Sequence, residues 1–253
     1  MPFQKITAEK LSHAVMRQIE ELILQGILRP GDRLPAEREL AETMGVSRPS
    51  LREALAEMQE SGLLIARAGS GVYVADVLGS AFSPALVRLM SEHERAADDY
   101  LSFRRELEGM AAQRVATLAG DEDLAVIDQS YRRMAEAHDK ADPEREAALD
   151  AAFHMAIVEA GHNIVALHMM RSMNDLLQQG VLYNRTRIFT LPDNRNRLLQ
   201  QHGQINDALQ RRDGPGARAM VEAHLDFIAD CLRAQRLADE HDQLARRRLN
   251  KRS

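Results

Sequence analysis

The sequence predicts a mostly α-helical protein in two parts: a small N-terminal domain of three helices and a β-hairpin, then an all-α antiparallel bundle of six or seven helices. Three observations predict it. Apolar residues recur at helical spacing from Leu11 almost to residue 236. A single pair of strand-like runs flanks the glycines Gly69 and Gly71. At 253 residues the chain also exceeds the usual size of one domain.

In order along the chain, Leu11, Val15, Ile19, Leu22, Ile23 and Ile27 form the apolar stripe of a first helix, with Gly26 near its end. Pro30, Gly31 and Pro35 interrupt the chain, and "PAERELAETM" reads as a short second helix with Leu40 and Met44 turned inward. Gly45 marks a tight turn, after which Ser47 is placed to cap a third helix carrying Leu51, Leu55 and Met58 on its apolar face. Leu63 to Ala66 and Val72 to Val74 are strand-like around a loop at Ala68 to Gly71. Two short helices joined by a glycine turn make a helix-turn-helix, and the hairpin after them is a wing. This places a winged helix-turn-helix DNA-binding domain at 1–76.

The start of the third helix gathers free backbone N–H groups, a positive dipole end and the side chains of Ser47, Arg48, Ser50 and Arg52. Hydroxyls anchor phosphate and arginine can bond guanine O6 and N7 together, so this short patch suits duplex DNA. Net charge does not help: the whole chain stands at −5, and residues 1–76 hold nine Lys/Arg against eleven Asp/Glu. DNA binding must rest on where the arginines sit. Aromatic residues at 4% with no Trp argue against a stacking platform for single strands.

Residues 77–83, with Gly79, Ser80 and Ser83, read as a linker. Helical runs follow at roughly 84–93, 96–119, 121–139, 142–160, 163–189, 192–212 and 215–236, broken by "AGDED", "DKADP", "AGHN", "LPDN" and "RDGPG". Short connections between such runs favour an antiparallel bundle, whose core is a common place for a ligand or metal. Gln178, Tyr183, Asn184, Arg185 and Arg187 fall on one long helix, as pocket or subunit contacts. Residues 237–253, with five positive charges in the last eight, read as a basic disordered tail.

Within 84–236, Asp150 and His154 stand four apart, so a helix sets carboxylate and imidazole on one face. His202 and His224 lie at helical spacing among apolar residues of two further helices. Each histidine alone is more often a core or surface residue. Together, three imidazoles and a carboxylate suit zinc, nickel, manganese or another borderline divalent cation with positions left open. Cys231 is the one cysteine, which excludes an internal disulfide and fits a reducing, cytoplasmic setting. No apolar run approaches the roughly 18 residues of a membrane span.

The run "PGDRLPAERELAETMGVSRPSLREALAEMQESGLL" closely resembles the N-terminal winged helix of the GntR family of bacterial transcriptional regulators. Residues 84–236 resemble the ligand-binding FCD domain of its FadR subfamily, on "FRRELE", "DAAFH", "QHGQI" and "AMVEAHL". The resemblance implies DNA contacts by Arg38, Ser47, Arg48, Ser50, Arg52, Gly69, Ser70 and Gly71. It implies one divalent cation per chain, zinc first with nickel or manganese as alternatives, on Asp150, His154, His202 and His224. Arg104 matches the arginine of the first motif and is the expected clamp for a small carboxylate effector, although a salt bridge to Glu108, one turn on, is the plainer alternative. The expected function is a homodimeric repressor, not an enzyme, which binds palindromic double-stranded operator DNA and senses a sugar acid, hydroxy acid or keto acid. Two alternatives stand beside it: a metal-dependent enzyme fused to a DNA-binding module, and a regulator whose metal is purely structural.

Overall fold

A computed structural model describes residues 10–75, 89, 93–138, 140, 142–178 and 192–250. The chain divides into two compact units, Met1–Ala81 and Phe82–Ser253.

In the first unit α1 (Leu11–Leu24), α2 (Glu37–Met44) and α3 (Arg48–Glu60) precede an antiparallel hairpin of β1 (Leu64–Arg67) and β2 (Gly71–Val74). Gly45 ends α2 with φ +64°, a left-handed conformation that a side chain resists. Two residues later Ser47 caps α3 by accepting from the Ser50 N–H at 3.3 Å. Pro49 fits just inside that cap, where no intrahelical N–H bond is lost. Val15, Ile19, Leu40, Leu51, Leu55, Met58, Leu64 and Val74 close a common core. Each such side chain contributes roughly 1.5–3 kcal/mol of burial, enough together to fix a unit this small. Leu11 and Ile27, assigned above to the apolar stripe of α1, lie 57% and 62% exposed. The stripe is therefore shorter than the spacing suggests.

The second unit is entirely helical among its described residues: α4 (Glu94–Leu118), α5 (Asp121–His138), α6 (Pro143–Ala160), α7 (Ile164–Gln178), α8 (Pro192–Gln210) and α9 (Gly214–Asn250). Acidic side chains begin several of them. Asp142 accepts from the Arg145 N–H at 3.1 Å, and Asp213 accepts from the Gly216 N–H at 2.9 Å. Asp121, Glu122 and Asp123 occupy the first turn of α5, where negative charge meets the positive helix end. α4 packs chiefly on α9, α5 on α6, and α8 against both α5 and α9. α6 is buried on most of its circumference, which places Phe153, Ile157 and Val158 at the centre of the core.

One expectation is corrected. Residues 237–250 are not a disordered tail but the continuation of α9, which runs helical to Asn250. No Gly or Pro follows Gly216 within α9, and Ala, Leu, Arg, Gln and Glu, all strong helix formers, are frequent there. The linker 77–83 and most of the helix expected at 84–93 lie outside the described residues. So do Tyr183, Asn184, Arg185, Arg187 and the side chain of Gln178.

Candidate metal centre and DNA-reading surface

Helical spacing on α6 stacks Glu146, Asp150 and His154 on one buried line, each at most 2% exposed. α8 brings His202 to this line and α9 brings His224, both with no exposed surface. One ligand atom from each of Asp150, His154, His202 and His224 lies within 4.8 Å of every other. The histidines meet through the same ring nitrogen. His154 Nε2 is 3.2 Å from His224 Nε2 and 3.3 Å from His202 Nε2, and His202 Nε2 is 3.0 Å from Asp150 Oδ1.

The far side of each ring decides what those nitrogens offer. His154 Nδ1 lies 2.6 Å from Glu108 Oε2, and Glu108 Oε1 accepts from Arg104 Nε at 2.5 Å. Burial by itself raises the Glu108 carboxyl, but Arg104 and His154 beside it overcome that and hold it at about 2. An ionised Glu108 can only accept, so Nδ1 of His154 carries a proton. His224 Nδ1 likewise faces the acceptor Gln201 Oε1 at 3.0 Å. In their neutral forms both rings therefore aim bare Nε2 lone pairs at one another across 3.2 Å. A proton or a cation between them relieves that repulsion.

Burial disfavours a charged His154, yet Glu108 and Asp150 outweigh it and raise its pKa above the ordinary value. Burial, then His202 and His154, push His224 well below it. Three imidazole nitrogens and a carboxylate converging in this way also fit a divalent cation, which would take the proton's place. Phe153 braces the set, its ring edge-on to His202 at 5.3 Å and to His154 at 5.9 Å. One turn before Asp150, Glu146 ties α6 to α8, with Oε1 accepting from Arg195 Nη2 at 2.5 Å and Oε2 from Arg195 Nε at 3.0 Å.

Of the expected site residues, the four ligands come together as one cluster. Arg104 is buried beside it, but its Nε goes to Glu108, the salt bridge weighed above as the plainer alternative. Glu108 itself was read only as that partner. Its second contact, to His154, crosses from α4 to α6, and no spacing along one helix announces it. Glu146 escaped notice for a similar reason, although it stands four residues before Asp150 on the same face.

In the first unit Arg38, Ser47, Arg48 and Arg52 are exposed, and Ser50 is half-buried beside Ser47, their hydroxyls 2.9 Å apart. Arg52 Nε sits 2.7 Å from Glu37 Oε2, and Arg48 Nη2 lies 3.9 Å from the same oxygen. A single carboxylate from α2 thus gathers two cations one turn apart on α3. This offsets both their mutual repulsion and the unfavourable dipole at the helix start. At the wing, Gly69 and Gly71 have φ +70° and +117°, so the tip needs glycine at both. The Ser70 hydroxyl bonds the Tyr73 hydroxyl, and the Arg67 guanidinium covers the Tyr73 ring at 4.4 Å. The expected loop residues are therefore held by Tyr73 and flanked by Arg67, two residues the sequence reading left out.

Comparison with known proteins agrees with this division. The model for bacterial regulatory proteins of the gntR family matches residues 11–74, and the FCD domain model matches residues 99–227. A putative L-lactate dehydrogenase operon regulatory protein of Escherichia coli (strain K12) is 34% identical over 256 residues, covering 95% of this chain and 98% of the relative. The Glc operon transcriptional activator of the same strain is 31% identical, covering 91% and 92%. The HTH-type transcriptional regulator LutR of Bacillus subtilis (strain 168) is 30% identical, covering 83% and 96%. Among solved structures, Streptococcus agalactiae GntR superposes with a TM-score of 0.52 at 24% identity, covering 86% of this chain and 98% of that one. At that identity the likeness bears on the fold.

Proposed function

The chain belongs to the gntR family of bacterial regulatory proteins and carries an FCD domain, and from that premise we propose that it is a homodimeric repressor whose hold on a palindromic operator responds to a small hydroxy acid. DNA binding and transcriptional regulation come with the family; its relatives are regulators, not enzymes. A relative named for the L-lactate dehydrogenase operon makes a 2-hydroxy acid the first candidate among the acids considered.

The observation that carries the proposal is the buried convergence of Asp150, His154, His202 and His224 beside Arg104. These four would hold the cation, zinc first among the candidates, and once bound it would supply a Lewis acid for a carboxylate and its neighbouring hydroxyl. The chain's own groups do the remaining work. Glu108 fixes the His154 tautomer, and the Glu146–Arg195 pair keeps α6 and α8 in register. Arg104 offers a guanidinium to the acid's carboxylate, in competition with Glu108. An acid that draws Arg104 from Glu108 loosens a link between α4 and α6. Such a link is a contact whose strength differs between two helix arrangements, as a switch requires. In the first unit Arg48 and Arg52 read base edges, while Ser47, Ser50, Arg38 and the wing tip Gly69 to Gly71 position the duplex.

Thermal shift with a panel of hydroxy, keto and sugar acids, with and without chelator, tests the reading. A 2-hydroxy acid should raise the melting temperature of the metal-loaded protein and leave the chelated protein unmoved. In Arg104→Lys, which keeps the charge but loses the planar fork, that shift should shrink while the melting temperature without acid holds. Equal shifts with and without chelator would remove the metal from effector binding.

A further inference from the structure

α9 outruns the bundle it belongs to. After Leu232 no residue with a described side chain is buried, and from Leu237 onward those side chains are exposed. The helix leaves the bundle at a defined place: Arg236 Nη2 lies 2.8 and 2.9 Å from the two carboxylate oxygens of Asp98, in the second turn of α4. That is the end of the helical unit at which α4 begins. Beyond it, residues 237–250 extend about 20 Å at ~1.5 Å per residue.

Charge along this extension is sorted. Asp239, Glu240 and Asp242 come first, then Arg246, Arg247 and Arg248 at the tip. These three arginines are exposed, and among the described residues none makes an ion pair. Three consecutive helical positions are spread over more than half the circumference, so the tip offers positive charge on most sides. The winged unit, by contrast, has more acidic than basic residues, and its two recognition-helix arginines share Glu37. A protein that grips a polyanion with so little net charge in its reading unit gains from a second source of cations. Cations also complement the carbonyl end of a helix, but that role is indifferent to DNA.

We propose that the tip of α9 is a phosphate-contact element, in which Arg246, Arg247 and Arg248 meet the sugar-phosphate backbone of duplex DNA without reading its bases. The proposal rests on the DNA-binding reading above. It adds a sequence-independent, salt-sensitive part of the affinity that belongs to the FCD-containing unit rather than to the helix-turn-helix.

The test uses the full-length protein and a fluorescein-labelled 30-bp duplex of random sequence, with affinity measured by anisotropy from about 50 to 200 mM salt. Each phosphate contact adds about 0.9 to the slope of log affinity against log salt. R246Q/R247Q/R248Q should therefore lower that slope by about 2 to 3 for each chain whose tip meets the duplex, a loss of affinity over the range roughly 40-fold smaller for one tip and about 10³-fold smaller for two. R246K/R247K/R248K, which keeps the charge, should restore it. These side chains are exposed, so folding is not at stake, and circular dichroism should be the same for all three proteins. An unchanged slope in the glutamine variant, with wild type bound, overturns this inference alone. Equal loss in the lysine variant also overturns it, because the role would then not be electrostatic. Wild type that binds no duplex at any salt overturns the DNA-binding reading as well.

Discussion

Glu108 Oε2 lies 2.6 Å from His154 Nδ1, so α4, which supplies no ligand, sets the tautomer of a candidate ligand on α6. Because Arg104 holds the other oxygen of the same carboxylate, the state of His154 is linked to whatever Arg104 touches. Such outer partners commonly change metal affinity 10–100-fold when replaced.

Glu108→Gln should accordingly weaken cation binding by about 10–100-fold in a chelator competition assay. It should also lower the melting temperature, since Arg104 would be left buried without its countercharge. Full retention of affinity would remove Glu108 from the metal site.

His202→Ala removes a candidate ligand without touching either unit's surface. Metal content by elemental analysis should fall from about one ion per chain to well below that. In the wild type, chelation should destabilise the fold by as much as ~4 kcal/mol if metal is present at about a thousand times its dissociation constant. His202→Ala should melt at the same temperature with and without chelator. A variant that still loads one ion and still responds to chelator would contradict the four-residue assignment.

The pH dependence has opposite signs with and without the cation. The folded-state pKa of His154 is raised, so in metal-free protein its contribution to stability is complete below the ordinary 6.5 and is lost as pH rises through the raised value. Metal must displace that proton, so affinity for the cation should weaken as pH falls through the same raised value. Glu108 behaves conversely. Its carboxyl is depressed from 4.5 to about 2, so its stabilisation is present above 4.5 and disappears as pH falls through about 2. Isothermal titration with metal at several pH values, alongside melting of the metal-free protein, should show the two trends crossing. Parallel trends would mean that His154 takes no part in metal uptake.

On the reading helix, Arg52→Ala should cost about 1–3 kcal/mol of operator affinity and relax base preference at one position of each half-site. Glu37→Gln frees both Arg48 and Arg52 and removes a negative charge near phosphate. It should therefore strengthen binding to random duplex while narrowing the gap to operator. If Glu37→Gln left both affinities unchanged, the shared ion pair would be irrelevant to DNA.

Much of this structure is legible in the sequence where the decisive interactions are local. Gly45 and Ser47 announce the turn and the cap of α3 within three residues, and α6 displays Asp150 and His154 one turn apart. What stays hidden depends on contacts between helices far apart in the chain. Glu108 meets His154 across 46 positions, Glu146 meets Arg195 across 49, and Asp98 meets Arg236 across 138. The C-terminal helix is hidden for another reason: positive charge suggests a solvated coil, whereas helix propensity and the anchor at Arg236 carry α9 through to Asn250.

If a metal-holding bundle governs a DNA-reading module, duplex affinity must follow both the cation and the acid within one titration. A palindromic duplex enriched from a random library by the metal-loaded protein is titrated with that protein, with and without a saturating 2-hydroxy acid, against random competitor. The prediction is at least about a 10³-fold preference over random duplex, shifted tenfold or more by the acid and unshifted by it after chelation. No preference for any palindrome in any loading state, or an acid response that survives chelation intact, would contradict the claim.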